Sequence, residues 1–158
     1  MRELIVRRFK KEDADSIAEI IQRNFLEVNI KDYSLEEMQQ LANIYNCQKI
    51  MDVAEYAHMY VACIKDTIVG CGAISSFWGK LDESILLTIF VLPELQGKGI
   101  GRRIIETLES DEYFLRAKRV EIPSSITGCE FYRKMGYDFK NGIQELDDEK
   151  HFRLEKFR

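Results

Sequence analysis

Residues 91–103 read VLPELQGKGIGRR, and this stretch decides the fold class. An apolar segment, 85–92, runs into a loop with glycines at three alternate positions, and an amphipathic helix follows directly. Glycine permits sharp backbone turns and lets a ligand approach the amides closely. The first N–H groups of a helix have no internal partner and favour an anion. We therefore predict a strand, a glycine loop and a helix N-terminus that together form a phosphate site.

The charge of this loop differs from that of the whole chain. Lys98, Arg102 and Arg103 are positive, and segment 95–105 contains no acidic residue. The glycine spacing does not fit a P-loop, which needs G-x-x-x-x-G-K-[ST]. A dinucleotide fingerprint that starts at Gly97 would put Arg102 in the place of its third glycine. A nucleotide-binding domain therefore stays open as an alternative.

Composition restricts the classes of protein that this chain can be. It has 158 residues, 46% hydrophobic and 32% charged, with a net charge of −4, which fits a single domain over residues 1–158. The modest negative charge argues against binding to nucleic acid or to an anionic membrane. Four cysteines without a C-x-x-C pair, and only two histidines, argue against a metal. With no signal peptide and no long apolar run, we expect a cytoplasmic protein with reduced thiols.

The hydrophobic periodicity predicts an α/β (α+β) fold in which strands and helices alternate. Segment 46–56 is ambiguous and is interpreted as a loop with some helix. The other predicted elements, in chain order, are a strand at 3–8, a helix over 17–28, a helix that begins at Ser34 with a capping box, strands at 59–64 and 68–77, a strand at 85–92 buried on both faces, a helix from Ile100, a strand at 119–122 ended by Pro123, a helix from Ser124 or Ser125 to Gly136, and one or two strands in the tail.

Two segments carry a resemblance to a known family. Residues 96–101, QGKGIG, resemble the Q/R-x-x-G-x-G/A signature of the GNAT superfamily of acetyl-CoA-dependent N-acetyltransferases. Residues 125–137 are similar to its N-x-x-A-x-x-x-Y-x-x-x-G-[FY] segment, with Ser125 where the family often has Asn and Gly128 where it often has Ala. The order of elements agrees as well.

The resemblance implies a mixed, mostly antiparallel sheet flanked by helices, with acetyl-CoA between splayed fourth and fifth strands. It implies acetyl transfer to a primary amine, on a small molecule or a protein, by direct attack in a ternary complex. Ser125 caps a helix and offers a hydroxyl to the cosubstrate. The backbone groups implied for the pantetheine arm and the thioester carbonyl are those of Ile89, Phe90 and Val91. Those implied for the pyrophosphate are the amides of Gln96, Gly97, Lys98, Gly99, Ile100 and Gly101, with Arg102 beside them.

The resemblance also implies a proton donor, because Tyr132 occupies the family's position for the acid that protonates the leaving thiolate. Glu83 is a candidate general base, although counting back from Gln96 puts the family's position on Ile85, and an ordered water is an equal alternative. A CoA-binding regulatory module without turnover, and a homodimer through an edge strand in the tail, both stay open.

The sequence says less about the acceptor. Tyr33 and Tyr56 are candidates for lining an acceptor pocket, because the N-terminal helices cover that side in the family. His58 and His151 are interpreted as ordinary packing or surface residues.

Overall fold

A seven-stranded sheet organises residues 3–158, the part of the chain that the computed structural model describes. The strand order is β1-β2-β3-β4-β5-β7-β6, and every neighbouring pair is antiparallel except β4 and β5. This confirms the predicted mixed, mostly antiparallel sheet. The strands are β1 (Leu4–Arg8), β2 (His58–Ile64), β3 (Thr67–Ser76), β4 (Glu83–Val91), β5 (Arg119–Ser124), β6 (Asp138–Phe139) and β7 (Phe152–Phe157).

Helices cover both faces of the sheet. One buried cluster, which includes Ile17, Ile21 and Val61, packs the first three helices against β2 and β3. A second cluster, which includes Ile104 and Leu154, packs α4 on the opposite face. The helices are α1 (Ala14–Glu27), α2 (Leu35–Ile44), α3 (Cys47–Tyr56), α4 (Ile100–Leu108), α5 (Glu112–Leu115) and α6 (Cys129–Lys134).

The N-terminal helices begin at capping residues. Ser34 accepts a hydrogen bond from the Glu37 amide, and Glu37 accepts one from the Ser34 amide, which is the predicted capping box. Segment 46–56 is helical almost throughout, so its interpretation as mainly loop was wrong. Asn46 caps this helix through the Lys49 amide.

The parallel pair at the centre of the sheet is short. Only Glu83, Ser84 and Ile85 of β4 are in register with β5, opposite residues 119–121. Beyond this point the two strands separate. The predicted burial of β4 on both faces is therefore found in its first half alone, since residues 87–91 are only partly buried. A bulge at Thr88, with φ of 57°, marks the change.

Two boundaries around β5 differ from the prediction. The strand continues through Pro123 to Ser124 instead of ending at the proline. These residues lie past the end of the pairing with β4, so the missing proline N–H costs that pair no hydrogen bond. Helix α6 begins at Cys129, because Ser125 caps a turn by accepting a hydrogen bond from the Gly128 amide at 3.0 Å.

A cluster of ion pairs holds the closed end of the sheet, where β4, β5 and β7 meet. Glu121 is fully buried, and its carboxylate contacts Arg119, Lys140 at 3.0 Å and Arg153 at 2.7 Å. Arg119 also binds Glu83 of β4 at 3.0 Å and Glu155 of β7 at 2.8 Å. Burial acts to raise the pKa of Glu121, but the hydrogen bonds from Arg119 and Lys140 outweigh it and lower that pKa.

Candidate active site

A cleft of about 420 Å³ opens where β4 and β5 separate. The last residues of β4 form one wall, and the turn before α6 forms the other. The glycine loop closes one end. Its lining residues are Asn24, Val28, Asn29, Ile89, Phe90, Val91, Leu95, Gln96, Gly97, Gly99, Ile100, Gly101, Arg102, Ser125, Thr127, Gly128, Phe131 and Tyr132.

The loop between β4 and α4 presents open backbone amides to this cleft. Gly97 and Gly99 have φ of 77° and 88°, a region in which side chains other than glycine are strained. Gly99 is the N-cap of α4, so the free N–H groups of the first turn follow it. Lys98 and Arg102 are exposed, and neither forms an ion pair within residues 3–158. The loop can therefore bind an anion with both amides and cations.

Asn24 of α1 holds the end of β4 in place, and sequence reasoning missed it. Its amide nitrogen donates to the carbonyl oxygens of Val91 at 2.8 Å and Ile20 at 2.9 Å. Its oxygen accepts from the Gln96 side chain at 2.9 Å. The signal was a polar residue on the apolar face of α1, next to Phe25. The buried side-chain amide of Asn24 therefore holds α1, the end of β4 and the glycine loop together.

Replacing Asn24 by alanine should weaken the protein and loosen the loop. The variant leaves the Val91 carbonyl and the Gln96 amide without this partner, so we expect a loss of about 1–3 kcal/mol in unfolding free energy. Binding of CoA, measured by calorimetry, should weaken about tenfold. Gln22→Ala is the control, since it removes a bond from α1 to the Tyr45 carbonyl and should leave CoA binding unchanged. Equal effects of the two variants on CoA binding would contradict this role.

Tyr132 lines the cleft from α6, on the side opposite β4. Its ring packs against the buried cluster under α4, next to Phe131. Its hydroxyl makes no hydrogen bond to any residue in the range 3–158. Burial raises the pKa of this phenol above its ordinary value of 10.0. The hydroxyl is therefore protonated at neutral pH and its proton is not engaged elsewhere.

Glu83 does not lie in the cleft. It is the first residue of β4 and is separated from Ile89 by six residues, or roughly 20 Å of strand. Its carboxylate binds Arg119 at 3.0 Å and Lys80 at 3.3 Å. Burial acts to raise its pKa, but these two cations lower it on balance. A weakly basic, paired carboxylate at the closed end of the sheet is not placed to take a proton from an acceptor.

A second cavity, of about 320 Å³, adjoins the cleft, and Asn29 and Ser125 line both. It lies between α2 and the turn at residues 147–151. Of the two tyrosines predicted to line an acceptor pocket, Tyr33 lines this cavity and Tyr56 is absent from its lining. The other residues around it are Phe25, Glu37, Met38, Gln40, Leu41, Ile44, Asp148, Glu149, Lys150 and His151. We name this space the acceptor-side cavity.

Fold and cleft define a class of protein that holds an extended, phosphate-bearing ligand between two separated strands. A family model described as an acetyltransferase (GNAT) domain matches residues 55–138, more than half of the chain. The chain belongs to this family and is an acetyl-CoA-dependent acetyltransferase. The match covers β2 through α6 and excludes most of the acceptor-side cavity.

Several solved structures share this fold at low sequence identity. PaiA N-acetyltransferase from Thermoplasma acidophilum, in complex with coenzyme A, has a TM-score of 0.83 and 18% identity over 98% of this chain and 99% of its own. A GCN5-related N-acetyltransferase from Rhodopseudomonas palustris has a TM-score of 0.78 and 20% identity, over 98% of this chain and 95% of its own. N-acetylglutamate synthase from Neisseria gonorrhoeae, complexed with coenzyme A and L-arginine, has a TM-score of 0.66 and 18% identity, over 98% of this chain and 33% of its own. No curated protein sequence matches the chain.

Within residues 3–158, no helix is long and apolar enough to cross a membrane. The same residues contain no group of three or more side chains placed to hold a metal ion.

Proposed function

We propose that this acetyltransferase moves the acetyl group of acetyl-CoA to a primary amine, on a small molecule or a protein, by direct attack in a ternary complex. The observation that carries the proposal is the adjacency of two spaces. The cleft between β4 and β5 suits the extended cosubstrate, and the acceptor-side cavity meets it at Asn29 and Ser125. An amine in the second space would reach a thioester in the first.

The residues around the cleft fit acetyl-CoA in charge and in shape. The strand end formed by Ile89, Phe90 and Val91 has no partner strand on its β5 side within the described residues, so the pantetheine amides can pair with it as an added strand would. The open amides from Gly97 to Gly101 suit the pyrophosphate, and Lys98 and Arg102 add positive charge. The Gln96 amide donates instead to the Pro93 carbonyl at 3.5 Å. Ser125 lines the same cleft, and its hydroxyl oxygen accepts from the Gly128 amide at 3.0 Å.

The chemistry requires two proton movements and one charged oxygen. An alkyl amine has a pKa near ~10 and must lose a proton before it attacks. Negative charge then develops on the thioester oxygen, where a β4 amide is placed to stabilise it. The leaving thiolate, whose conjugate acid has a pKa near ~8.5, accepts a proton more readily from a nearby donor. Tyr132 is that donor in this proposal.

One turnover assay tests the proposed function. Release of free CoA is followed with acetyl-CoA and a panel of primary amines and peptides, and the acetylated product is identified by mass spectrometry. Acetyl-CoA binding without release on any acceptor would favour the alternative of a regulatory module. Thermal stabilisation by ATP or NAD but not by CoA would favour a nucleotide-binding domain.

A test of the loop uses two glycines of similar backbone conformation. Gly99→Ala forces a side chain into a left-handed conformation at a cost of about 1–2 kcal/mol, and we expect the KM for acetyl-CoA to rise about tenfold. Gly79→Ala, with φ of 79° in the turn before β4, imposes the same strain far from the cleft. It should lower the melting temperature similarly and leave this KM unchanged. The loop assignment fails if both variants change KM alike.

We also propose that residues 1–158 form a single domain, because one continuous sheet carries both buried clusters. The cytoplasmic location and the homodimer stay predictions, as do the roles of the site residues. The edge strand in the tail, β6, has two residues, which offers little edge for pairing between copies.

A further inference from the structure

We propose that the acceptor-side cavity receives an amine with an apolar body, and that His151 takes the proton from its ammonium group. This inference rests on the proposed acetyl transfer and adds to it the general base and the class of acceptor. It places the base in a part of the chain that the family match does not cover.

The position of His151 follows from strand register. Ser124 of β5 and Phe152 of β7 form the last pair between these strands, so Ser125 and His151 are the residues that flank this pair. Ser125 lines both the cleft and the acceptor-side cavity, and His151 lines the cavity. His151 therefore belongs to the wall of the acceptor-side cavity, and in this proposal its imidazole meets an entering amine directly or through one water.

The His151 ring is available for proton transfer. Neither ring nitrogen has a hydrogen-bond partner among residues 3–158, and the side chain is half-buried. The backbone of His151 is held instead, since its amide donates to the Asp147 carboxylate at 2.9 Å and its carbonyl accepts from the Asp147 amide. The turn thus fixes the residue and leaves the imidazole free.

Two contacts hold this turn, one with Tyr33 before α2 and one with Glu37 in α2. Tyr33 accepts a hydrogen bond from the Ile126 amide at 2.9 Å and donates one to the Lys150 carbonyl at 2.7 Å. The Lys150 ammonium binds Glu37 at 2.7 Å. One phenol therefore connects the turn that carries His151 with the turn that leads to α6. The cavity is a preformed space.

Burial keeps the His151 imidazole neutral near pH 7, against the carboxylates beside it. Burial lowers the pKa of the imidazole below its ordinary value of 6.5, Asp147 and Glu149 act to raise it, and Arg153 lowers it. A neutral imidazole has the lone pair that a base needs. The remaining groups that face the cavity are Glu37, which Lys150 neutralises, together with Asp148 and the phenol of Tyr33.

The walls of the cavity indicate the class of acceptor. Phe25, Met38, Leu41 and Ile44 supply an apolar surface that fits an aliphatic or aromatic body. Asp148 and Glu149 are exposed at the opening and form no ion pair in the described part of the chain. Their charge favours the approach of an ammonium group over that of a carboxylate.

The proton balance of the step closes without another reactant. His151 takes one proton from the ammonium group and becomes imidazolium. The freed nitrogen lone pair forms the C–N bond, and the electrons of the C–S bond leave with sulfur. Tyr132 gives its proton to that sulfur and recovers one from the newly bonded nitrogen. His151 releases its proton to water, so each turnover yields the amide, free CoA and one proton.

His151→Gln tests the base. With an amine that the wild type acetylates, we expect kcat to fall about 100-fold while CoA binding, measured by calorimetry, stays unchanged. A base must be unprotonated, so wild-type kcat/KM should fall with acidification below pH 6.5, and the variant should lose this limb of the profile. His58→Gln is the matched control. It breaks a 3.0 Å contact with buried Asp111 and should keep the wild-type pH profile.

Ile44→Lys tests the cavity without removing a buried side chain, because Ile44 is 53% exposed. An added cation at the rim should raise the KM for the amine about tenfold and leave the KM for acetyl-CoA unchanged. If the wild type is active and His151→Gln keeps its rate and its pH profile, the assignment of the base is wrong. If the wild type acetylates no amine at all, the proposed function itself fails.

Discussion

Tyr132→Phe is expected to lower kcat about 1000-fold and to leave CoA binding and stability nearly unchanged. The variant removes one hydroxyl, which makes no hydrogen bond within the described residues, and keeps the ring that packs next to Phe131. No buried partner is therefore left unsatisfied. The lost proton donor slows the departure of the thiolate, and a positioned acid contributes 10²- to 10⁴-fold to such steps.

The measurement combines single-turnover kinetics, calorimetry with CoA and chemical unfolding. Because burial raises the pKa of Tyr132, the wild-type donor stays protonated throughout the neutral range. Tyr137→Phe is the matched control, since its hydroxyl donates to Glu109 at 2.8 Å outside the cleft. That variant should lose stability and keep its turnover. If Tyr132→Phe retains a rate within tenfold of the wild type, Tyr132 is not the acid.

Glu121→Gln is expected to lower the free energy of unfolding by about 3–5 kcal/mol. Glutamine keeps the volume of the side chain and removes its charge. Arg119, Lys140 and Arg153 would then lose the buried anion that all three contact. Breaking a buried ion pair from one side costs far more than breaking an exposed pair, because the remaining charges stay partly desolvated.

The pH dependence of this effect has a defined sign. The folded protein holds the pKa of Glu121 below its ordinary value of 4.5, so the charged carboxylate stabilises the fold at neutral pH. That contribution is lost as the pH falls below 4.5 through the folded pKa. The difference between wild type and variant in urea unfolding should therefore shrink on acidification. Glu130→Gln, an exposed residue 3.4 Å from Arg133, should change stability by less than about 0.5 kcal/mol. A Glu121 variant as stable as this control would contradict the prediction.

Local sequence signals predicted the elements that local interactions determine. The capping box at Ser34 involves residues three positions apart, and the Gly-rich segment at 97–101 carries its own backbone requirement. Segment 46–56 was missed because its helix depends on packing of Ile50 and Val53 against α1 and β2. The start of α6 was placed too early because a serine caps turns as well as helices, and Ser125 caps a turn.

In the candidate site, too, local sequence signals predicted some residues, and others depend on contacts between distant parts of the chain. The structure brings the end of β4 and the segment that carries Ser125 and Tyr132 to one cleft, although these are two separate parts of the chain. Glu83 was a candidate because it belongs to β4, but it lies at the end of β4 that is opposite the cleft. His151 was set aside because its neighbours in sequence offered no chemistry. Its relevant neighbour is Tyr33, which meets the turn before it across 117 positions. No local pattern records such a contact.

The short parallel pairing of β4 and β5 has a consequence for the cohesion of the sheet. Only three residue pairs join β5, β6 and β7 to the other four strands. Past them, in the proposed complex, the pantetheine arm supplies hydrogen bonds that a longer strand pair would have made. Acetyl-CoA would then complete the sheet as well as react in it. The C-terminal part of the fold, from β5 to β7, should therefore exchange its amide protons more slowly once the cosubstrate is bound, and more quickly after each product release.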